Sequence, residues 1–382
     1  MSTWTNWAGN VSASPQLLAQ PSSTDEVVSL VTANRRVKAI GAGHSFTPIA
    51  QADGVQLRLN RMNRLLAADT ETGLVRVQAG MSLRDLNRRL DPLGLALPNM
   101  GDVDPQSMAG ATSTGTHGTG AKLFGIAKAI VSLQLVTADG QVIEIDQTHE
   151  LFNAARVGLG ALGIVTEITL QCVPAFLLNA REEPMALTAV LADLDSFADG
   201  NDHFEFFFFP NTNKALTKRN NRVPEGTAKS PLPKWRHKLE DEFLSNTFYE
   251  RVQRVAAKRP NLVTRINNIS GSLLGAREYT DTSHKVFISP REVRFRELEF
   301  ALPRAAAGEA ISQMQAWFAK SDEQVSFPVE VRFTAADDIW LSTGHDRDNV
   351  YIAAHQFHTV DPTRYFNAMQ DIFTAHAGRP HW

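Results

Sequence analysis

Residues 37–50, VKAIGAGHSFTPIA, join a short apolar run to a Gly-Ala-Gly turn that is followed directly by His44 and Ser45. Glycines let a backbone turn tightly and bring its N–H groups close to an anion, because no Cβ blocks the approach. Most glycine turns bind nothing, but a second stretch of the same kind follows at 110–120, GATSTGTHGTG. The two loops together indicate a chain wrapped around a large cofactor that carries phosphate.

Composition narrows the class of protein. A chain of 382 residues is long enough for two domains. Its net charge of -3, from 38 basic and 41 acidic residues, gives no electrostatic case for binding nucleic acid or an anionic membrane surface. The single cysteine, Cys172, excludes a disulfide framework and a cysteine-rich metal site. The chain shows neither a signal-peptide pattern nor a run of about 20 apolar residues, so we expect a cytoplasmic protein without a transmembrane segment.

The first 175 residues mix helix and strand patterns without a regular βαβ alternation, which predicts an α+β fold. Ser23 is the predicted N-cap of one helix, and apolar spacing predicts a second helix over 82–90. A loop is predicted over 97–124, and a hairpin turns at Asp139-Gly140. Further segments are predicted as strands (37–40, 55–59, 74–80 and 164–173) or as a helix (150–157).

The pattern changes near Pro174, where we expect a second α+β domain with a largely antiparallel sheet. Its predicted strands are 201–210, 295–303, 328–335 and 349–357, and a helix over 362–376 closes the chain. The polar, basic stretch Lys214–Lys258 is interpreted as a long mobile insertion. A substrate is expected in the seam between the domains.

Glu330 and Arg332 are the strongest catalytic candidates. They lie two residues apart in a strand pattern, so their side chains share one face of the sheet. Such a pair is commonly a surface ion pair. If the face lines a cleft, the carboxylate binds a substrate hydroxyl and the guanidinium stabilises an oxyanion. Glu297 and His355 lie on neighbouring predicted strands and join that face, and no metal site is predicted.

The two loop histidines have local alternatives. His44 either makes only a hydrogen bond within its turn or stands against a cofactor ring, where a ring nitrogen acts as a nucleophile. His117 is either a polar loop residue or a member of a loop whose N–H and hydroxyl groups contact pyrophosphate.

Five segments of the sequence together resemble a known protein family. They are GAGHS, GDVDPQSMAGATSTGTHGTG, LGALGIVTEITLQCVP, PVEVRFTAADD and the terminal GRPHW. In this order they resemble the flavin-dependent sugar-1,4-lactone oxidases and dehydrogenases of the vanillyl-alcohol-oxidase superfamily, over the chain from Trp7 to its last residue. GNDHFEFFFFP and GDVDPQS are similar to bacterial gulonolactone-type members.

The resemblance implies an FAD-binding domain of the PCMH type over 1–175 and a substrate, or cap, domain over 176–382. It implies that FAD is bonded covalently to His44, and that three loops surround its pyrophosphate and ring. The implied cofactor-binding residues are Gly41, Ala42, Gly43, His44, Ser45, Gly110, Thr112, Thr114, Gly115, Thr116, His117, Gly118, Gly120, Gly160, Gly163 and Ile164.

The resemblance also implies the reaction, which is oxidation of a secondary hydroxyl of gulono-, galactono- or arabinono-1,4-lactone by hydride transfer to FAD. Arg332 favours the alkoxide and Glu330 anchors neighbouring hydroxyls. His355 matches a family histidine, and Glu297 matches the position of a glutamine in alditol oxidases. The reduced flavin passes its electrons to O₂ or another acceptor. An alditol oxidase acting on xylitol or sorbitol is the alternative.

One departure from the family pattern concerns the C-terminus. The family pattern continues GRPHW with Gly-Lys, and the resemblance implies that this lysine assists deprotonation of the substrate. The sequence ends at Trp382. We therefore expect either a fragment or an impaired flavin-binding protein, with a rate lower by on the order of 10²–10³.

Overall fold

The structure is a computed structural model that describes residues 3–233, 249–273, 275–289 and 293–382. Its strands are β1 (Trp4–Thr5), β2 (Ser12–Ala13), β3 (Leu17–Ala19), β4 (Val37–Ile40), β5 (Val55–Arg58), β6 (Leu65–Ala68), β7 (Leu74–Gln78), β8 (Leu95–Ala96), β9 (Ile130–Val136), β10 (Val142–Asp146), β11 (Ile164–Gln171), β12 (Val173–Pro174), β13 (Leu177–Ala186), β14 (His203–Phe208), β15 (Lys214–Arg222), β16 (Arg277–Thr282), β17 (Phe295–Pro303), β18 (Val329–Thr334), β19 (Asn349–Phe357) and β20 (Arg379–Pro380).

Its helices are α1 (Thr24–Ala33), α2 (Leu83–Leu90), α3 (Met108–Ser113), α4 (Phe152–Ala155), α5 (Leu187–Ala192), α6 (Leu194–Asp199), α7 (Tyr249–Lys258), α8 (Val263–Leu273), α9 (Ser283–Phe287), α10 (Ala307–Lys320) and α11 (Thr363–Ala375). Short 3-10 turns lie at Pro48–Ala50, Leu59–Arg61, Asp91–Leu93, Ile126–Ala129, Pro260–Leu262 and Arg304–Ala306. Within the described ranges, no helix is both long and apolar enough to span a membrane.

The N-terminal half contains two principal sheets that share one hydrophobic core. Strands β3-β5-β4 form a parallel sheet, and β10-β9-β11-β7-β6 form an antiparallel one. Val27 and Val31 of α1 pack into the same core as Leu57 of β5 and Leu133 of β9. The side chain of Ser23 accepts a hydrogen bond from the N–H of Glu26, as the capping pattern predicts. The predicted α+β class is confirmed.

The C-terminal half is built on one eight-stranded sheet, in the order β16-β13-β15-β14-β18-β19-β17-β20, with antiparallel pairing throughout. Helices α5, α6, α10 and α11 cover one face. Alternate strand residues such as Phe206, Val331 and Ile352 pack against them. The intervening residues face the other way and include the charged side chains of Glu205, Arg332 and Glu297. Strand β13 begins two residues after the predicted domain boundary at 175, which stays a prediction.

Three local predictions are wrong. The stretch Lys214–Lys258 is not one long insertion, because β15 lies inside the sheet and α7 forms at its end; residues 234–248 lie outside the described residues. The basic side chains of β15 are compatible with an inner strand because neighbouring strands supply acidic partners, Glu205 for Lys218 and Glu183 for Arg219. The predicted loop 97–124 contains α3, which is capped by Ser107. The helix predicted over 150–157 is only Phe152–Ala155.

Candidate active site

Two adjoining cavities form the candidate site, and the smaller one lies where the two halves meet. The larger, of about 500 Å³, is lined mainly by three loops of the N-terminal half, around residues 38–45, 105–114 and 159–165. The smaller, of about 300 Å³, is walled by the charged face of the eight-stranded sheet and by the segment 101–106. His44, Ser45 and Thr114 line both cavities, so the histidine stands where they meet.

Close backbone approach shapes the larger cavity. A Cβ on Gly41 would lie 2.7 Å from the Ser107 Oγ and 3.5 Å from the Cα of Gly110, so the first glycine turn packs directly onto the start of α3. Gly43 has a left-handed φ of +76°, which a residue with a Cβ adopts only with strain. The glycines are therefore required by the geometry of this wall.

His44 is held by aromatic packing. Its ring stacks on Trp7 with centroids 5.6 Å apart and planes 23° apart. Burial lowers the pKa of His44, and the charge of Asp102 partly opposes that effect. The ring is therefore neutral at neutral pH and retains a lone pair for nucleophilic attack.

Arg332 is the centre of a buried charge cluster. Its Nε donates to Glu205 Oε2 at 2.9 Å, and its Nη2 lies 3.3 Å from Asp102 Oδ1 and also pairs with Glu330. The Arg332 side chain is only 11% exposed, so this is not the surface ion pair of the alternative interpretation. Burial alone would lower the pKa of Arg332, but the charges of Glu330, Asp102 and Glu205 raise it further above its usual value. Arg332 is therefore a fixed cation that lines the smaller cavity.

Glu297 and His355 form a second pair on the same face. They are direct cross-strand partners on β17 and β19, and Nε2 of His355 lies 3.0 Å from Glu297 Oε2. Nδ1 of His355 lies 3.0 Å from the carbonyl oxygen of Pro328, which can only accept a hydrogen bond. His355 therefore presents Nε2 to Glu297, and Glu297 in turn lines the cavity.

A third group joins the loop 110–120 to the sheet. Nδ1 of His117 donates to the carbonyl oxygen of Gly118 at 2.9 Å, and its Nε2 lies 3.4 Å from Glu299 Oε2. The His117 ring stacks on Tyr351, with centroids 3.5 Å apart. Burial alone would raise the pKa of Glu299, but the neighbouring His117 and His381 lower it to about 2. Glu299 is thus a permanent anion in the cavity wall.

Comparisons with known proteins give the family. A D-arabinono-1,4-lactone oxidase model matches residues 168–382, and an FAD binding domain model matches residues 15–146. L-gulono-1,4-lactone dehydrogenase of Mycobacterium tuberculosis is 40% identical over 383 residues, with 99% of this chain and 89% of that protein covered. L-gulonolactone oxidase of Bos taurus is 36% identical over 395 residues, covering 99% and 88%. This chain belongs to the D-arabinono-1,4-lactone oxidase family.

Solved structures place the fold. A cholesterol oxidase from B. sterolicum superimposes with a TM-score of 0.80 at 14% identity, covering 99% of this chain and 85% of that one. A solvent-stable cholesterol oxidase gives a TM-score of 0.77 at 19% identity, with the same coverage. At these identities the likeness concerns the fold alone.

The larger cavity of this D-arabinono-1,4-lactone oxidase family member fits FAD. Its walls are glycine-rich backbone from three loops, whose N–H groups suit a pyrophosphate. Two of these loops, 41–45 and 105–114, fall inside the matched FAD-binding domain. FAD is therefore the cofactor, and the residues that would hold it are those that line the larger cavity, which we call the glycine cradle.

The predicted cofactor residues divide into three groups. The first group lines the larger cavity: Gly41, Ala42, Gly43, His44, Ser45, Gly110, Thr114, Gly160 and Gly163. Thr116 and His117 line the smaller cavity instead. The third group supports the walls. Thr112 donates its hydroxyl to the Met108 carbonyl, the N–H of Gly120 donates to Phe333, and Ile164 is buried opposite Val136. Gly115 has a left-handed φ of +73°, and Gly118 lies against Met100.

Four residues of the site are not among those predicted from the sequence: Asp102, Glu205, Glu299 and His381. Glu299 could have been predicted from the sequence, because it lies two residues after Glu297 in the alternating strand FRELEFALP and therefore shares its face. Glu205 shows the same alternation between Phe204 and Phe206, but the aromatic run there indicated only core. Asp102 and His381 lie in loops, and no periodic pattern in the sequence indicates where a loop residue will lie in the fold.

Proposed function

We propose that this protein oxidises a secondary ring hydroxyl of a sugar 1,4-lactone in the smaller cavity, with FAD held in the larger one. The observation that carries the proposal is the position of the Glu330–Arg332 pair on the wall of a cavity that meets the glycine cradle at His44. When bound, FAD supplies the acceptor for the hydride that leaves the substrate carbon.

Arg332 stabilises the negative charge that develops on the substrate oxygen as the hydroxyl proton passes to a carboxylate of the same wall, Glu297 or Glu330. It suits this role because it is a fixed cation in a shielded site, where electrostatic stabilisation is stronger than in water. Glu330 accepts hydrogen bonds from neighbouring substrate hydroxyls, and Glu297, oriented by His355, adds a second acceptor. The wall carries Asp102, Glu297, Glu299 and Glu330, so it favours a neutral lactone over the aldonate anion formed by its hydrolysis.

His44 is proposed as the covalent anchor of the flavin, through the C8-methyl group. Support comes from its neutral ring, its position at the junction of the two cavities and its place directly after the glycine turn. Acid-precipitated protein should keep its flavin fluorescence, and H44A should release the flavin. Release of flavin from the unaltered protein on precipitation would disprove the link while leaving the lactone reaction untouched.

The electron acceptor is O₂ or another oxidant, and the two relatives named above divide between a dehydrogenase and an oxidase. Parallel turnover in air and with an artificial dye under anaerobic conditions separates these cases. The cytoplasmic location and the domain boundary at 175 stay predictions.

Substrate class is tested by dye-coupled turnover on gulono-, galactono- and arabinono-1,4-lactone. Xylitol, sorbitol and the hydrolysed aldonates serve as comparison substrates. We expect lactones to turn over faster than alditols, and aldonates to give no rate. A preference for alditols would favour the alternative reaction. A variant extended by Gly-Lys after Trp382 tests the expected role of the family lysine: a rise in rate supports it.

A further inference from the structure

Charged side chains form a ladder across five strands of the eight-stranded sheet, on the face that walls the smaller cavity. Its members alternate in sign and stand directly opposite one another: Arg277 and Glu182, Glu182 and Lys218, Lys218 and Glu205, and finally Glu205 and Arg332. Directly opposite residues of antiparallel strands have neighbouring side chains, so alternation of sign makes each step attractive.

Three steps of the ladder are ion pairs. Arg277 Nη2 lies 2.8 Å from Glu182 Oε1, Lys218 Nζ lies 2.6 Å from Glu205 Oε1, and Arg332 Nε lies 2.9 Å from Glu205 Oε2. The fourth pair, Glu182 and Lys218, interacts through charge. The charges of Glu182 and Glu205 both raise the pKa of Lys218, whereas burial alone would lower it.

Glu205 is the member on which the catalytic arginine depends. It gives one carboxylate oxygen to Lys218 and the other to Arg332, and its side chain is 8% exposed. Burial alone would raise the pKa of Glu205, but the charges of Lys218 and Arg332 lower it to about 2. Among the described residues, Glu205 is not part of the lining of the smaller cavity, whereas Arg332 is. Any effect of Glu205 on the substrate therefore passes through Arg332.

The atom that Glu205 holds decides the orientation of the guanidinium. A hydrogen bond at Nε fixes the plane of the group, because Nε and both terminal nitrogens are coplanar. A second attachment is made through Nη2, which contacts Glu330 and Asp102. Loss of the Nε contact leaves the guanidinium attached through Nη2 only, free to turn about that nitrogen toward Glu330 and Asp102.

We propose that Glu205 is a positioning residue for Arg332, and that Lys218 keeps Glu205 in place. The proposal rests on the proposed function, because it assigns Glu205 a part in stabilising the same substrate oxygen. Two consequences distinguish it from a merely structural role: the rate of flavin reduction changes rather than substrate affinity, and the effect of one substitution depends on the other.

The decisive variants are E205Q, K218M and E205Q/K218M. A glutamine at 205 has one carbonyl oxygen for two cations, so Lys218 and Arg332 compete for it and one of them faces an N–H group. In the double variant the lysine is gone, and the oxygen can turn to Arg332. The matched control is E183Q. Glu183 follows the ladder residue Glu182 on β13, but its side chain lies on the opposite face of the sheet, where it forms an ion pair with Arg219.

The assay is anaerobic stopped-flow reduction of the FAD-loaded protein across lactone concentrations, which separates the limiting rate from the apparent Kd. We expect E205Q to lower the limiting rate by about 10-fold or more, with little change in apparent Kd, because displacing a positioned group by about 1 Å costs up to 10²-fold. K218M should have a smaller effect, E205Q/K218M should be faster than E205Q, and E183Q should match the unaltered protein. FAD content and urea unfolding of each variant show that it is folded.

The proposal is overturned if folded E205Q reduces flavin within twofold of the unaltered protein, or if the double variant is slower than E205Q. If lactones fail to reduce the flavin of the unaltered protein, the proposed function fails instead. The positioning role is then tested by crystal structures. We expect the Arg332 guanidinium of E205Q to move by about 1 Å and that of the double variant to return; an unmoved guanidinium in E205Q overturns the inference.

Discussion

Replacement of Arg332 by lysine and by methionine separates the charge of this residue from its geometry. The guanidinium contacts three carboxylates, those of Glu205, Glu330 and Asp102, through two different nitrogens. Methionine removes the cation altogether. Removing one partner of a buried ion pair typically costs about 3–5 kcal/mol of unfolding free energy. Glu205 retains Lys218 at 2.6 Å, so we expect R332M to lie toward the lower end of that range.

Lysine keeps the charge but offers a single ammonium, which cannot occupy the Nε and Nη2 positions together. R332K should therefore recover much of the lost stability and little of the rate. Because removal of one oxyanion-stabilising group costs about 10²–10³ in rate, R332M should reduce flavin slower by that factor. R332K should be at least about 10-fold slower than the unaltered protein.

The assays are urea unfolding of the FAD-loaded variants and anaerobic flavin reduction by one lactone. The control is R219K, because Arg219 is also paired on this sheet but lies on its opposite face, over the ring of Phe197. R219K should leave the rate unchanged. A rate of flavin reduction in R332K equal to that of the unaltered protein would contradict this role of Arg332, and so would unfolding of R332M at the same urea concentration.

Two other predictions concern the cofactor cradle and pH. G43A should lower FAD content for two reasons. A φ of +76° costs a residue with a Cβ about 1–2 kcal/mol, and the added Cβ would lie 3.1 Å from the Trp4 ring. G94A is equally left-handed at +68° but has open space around it, and it should keep its FAD; equal losses in both would disprove a specific role for Gly43. The pKa of Glu205 and that of Glu299 are lowered from 4.5 to about 2, so both carboxylates stabilise the fold above about pH 4.5. That contribution should disappear as the pH falls toward 2. Urea titrations across this window should show a weaker pH dependence in E205Q, and an unchanged dependence would contradict the assignment.

Periodicity predicted the elements that carry the catalytic candidates. The alternation of PVEVRFTA placed Glu330 and Arg332 on one face of β18, and the structure places both in the wall of a cavity. Glu297 and His355 prove to be direct cross-strand partners. These predictions succeeded because a strand assigns its side chains to faces whatever its neighbours are.

The prediction for Lys214–Arg222 failed because it needed knowledge of the neighbouring strands. Lys214–Arg222 was assigned to a mobile insertion because it is polar. Only its partners make it an inner strand, since Lys218 meets Glu205 and Arg219 meets Glu183. Asp102 approaches Arg332 from a loop more than 200 positions earlier in the chain, and no local pattern encodes that approach. The order of strands, and therefore the charge ladder, is a property of the tertiary fold.

In the proposed reaction, a lactone bound beside Arg332 gives up a hydride to FAD bound beside His44. Its most direct test is anaerobic mixing of the purified yellow protein with gulono-, galactono- or arabinono-1,4-lactone, followed by the absorbance of oxidised flavin. We expect that at least one lactone abolishes this absorbance and that the same lactone does so far more slowly with R332M. Flavin that stays oxidised with every lactone would contradict it.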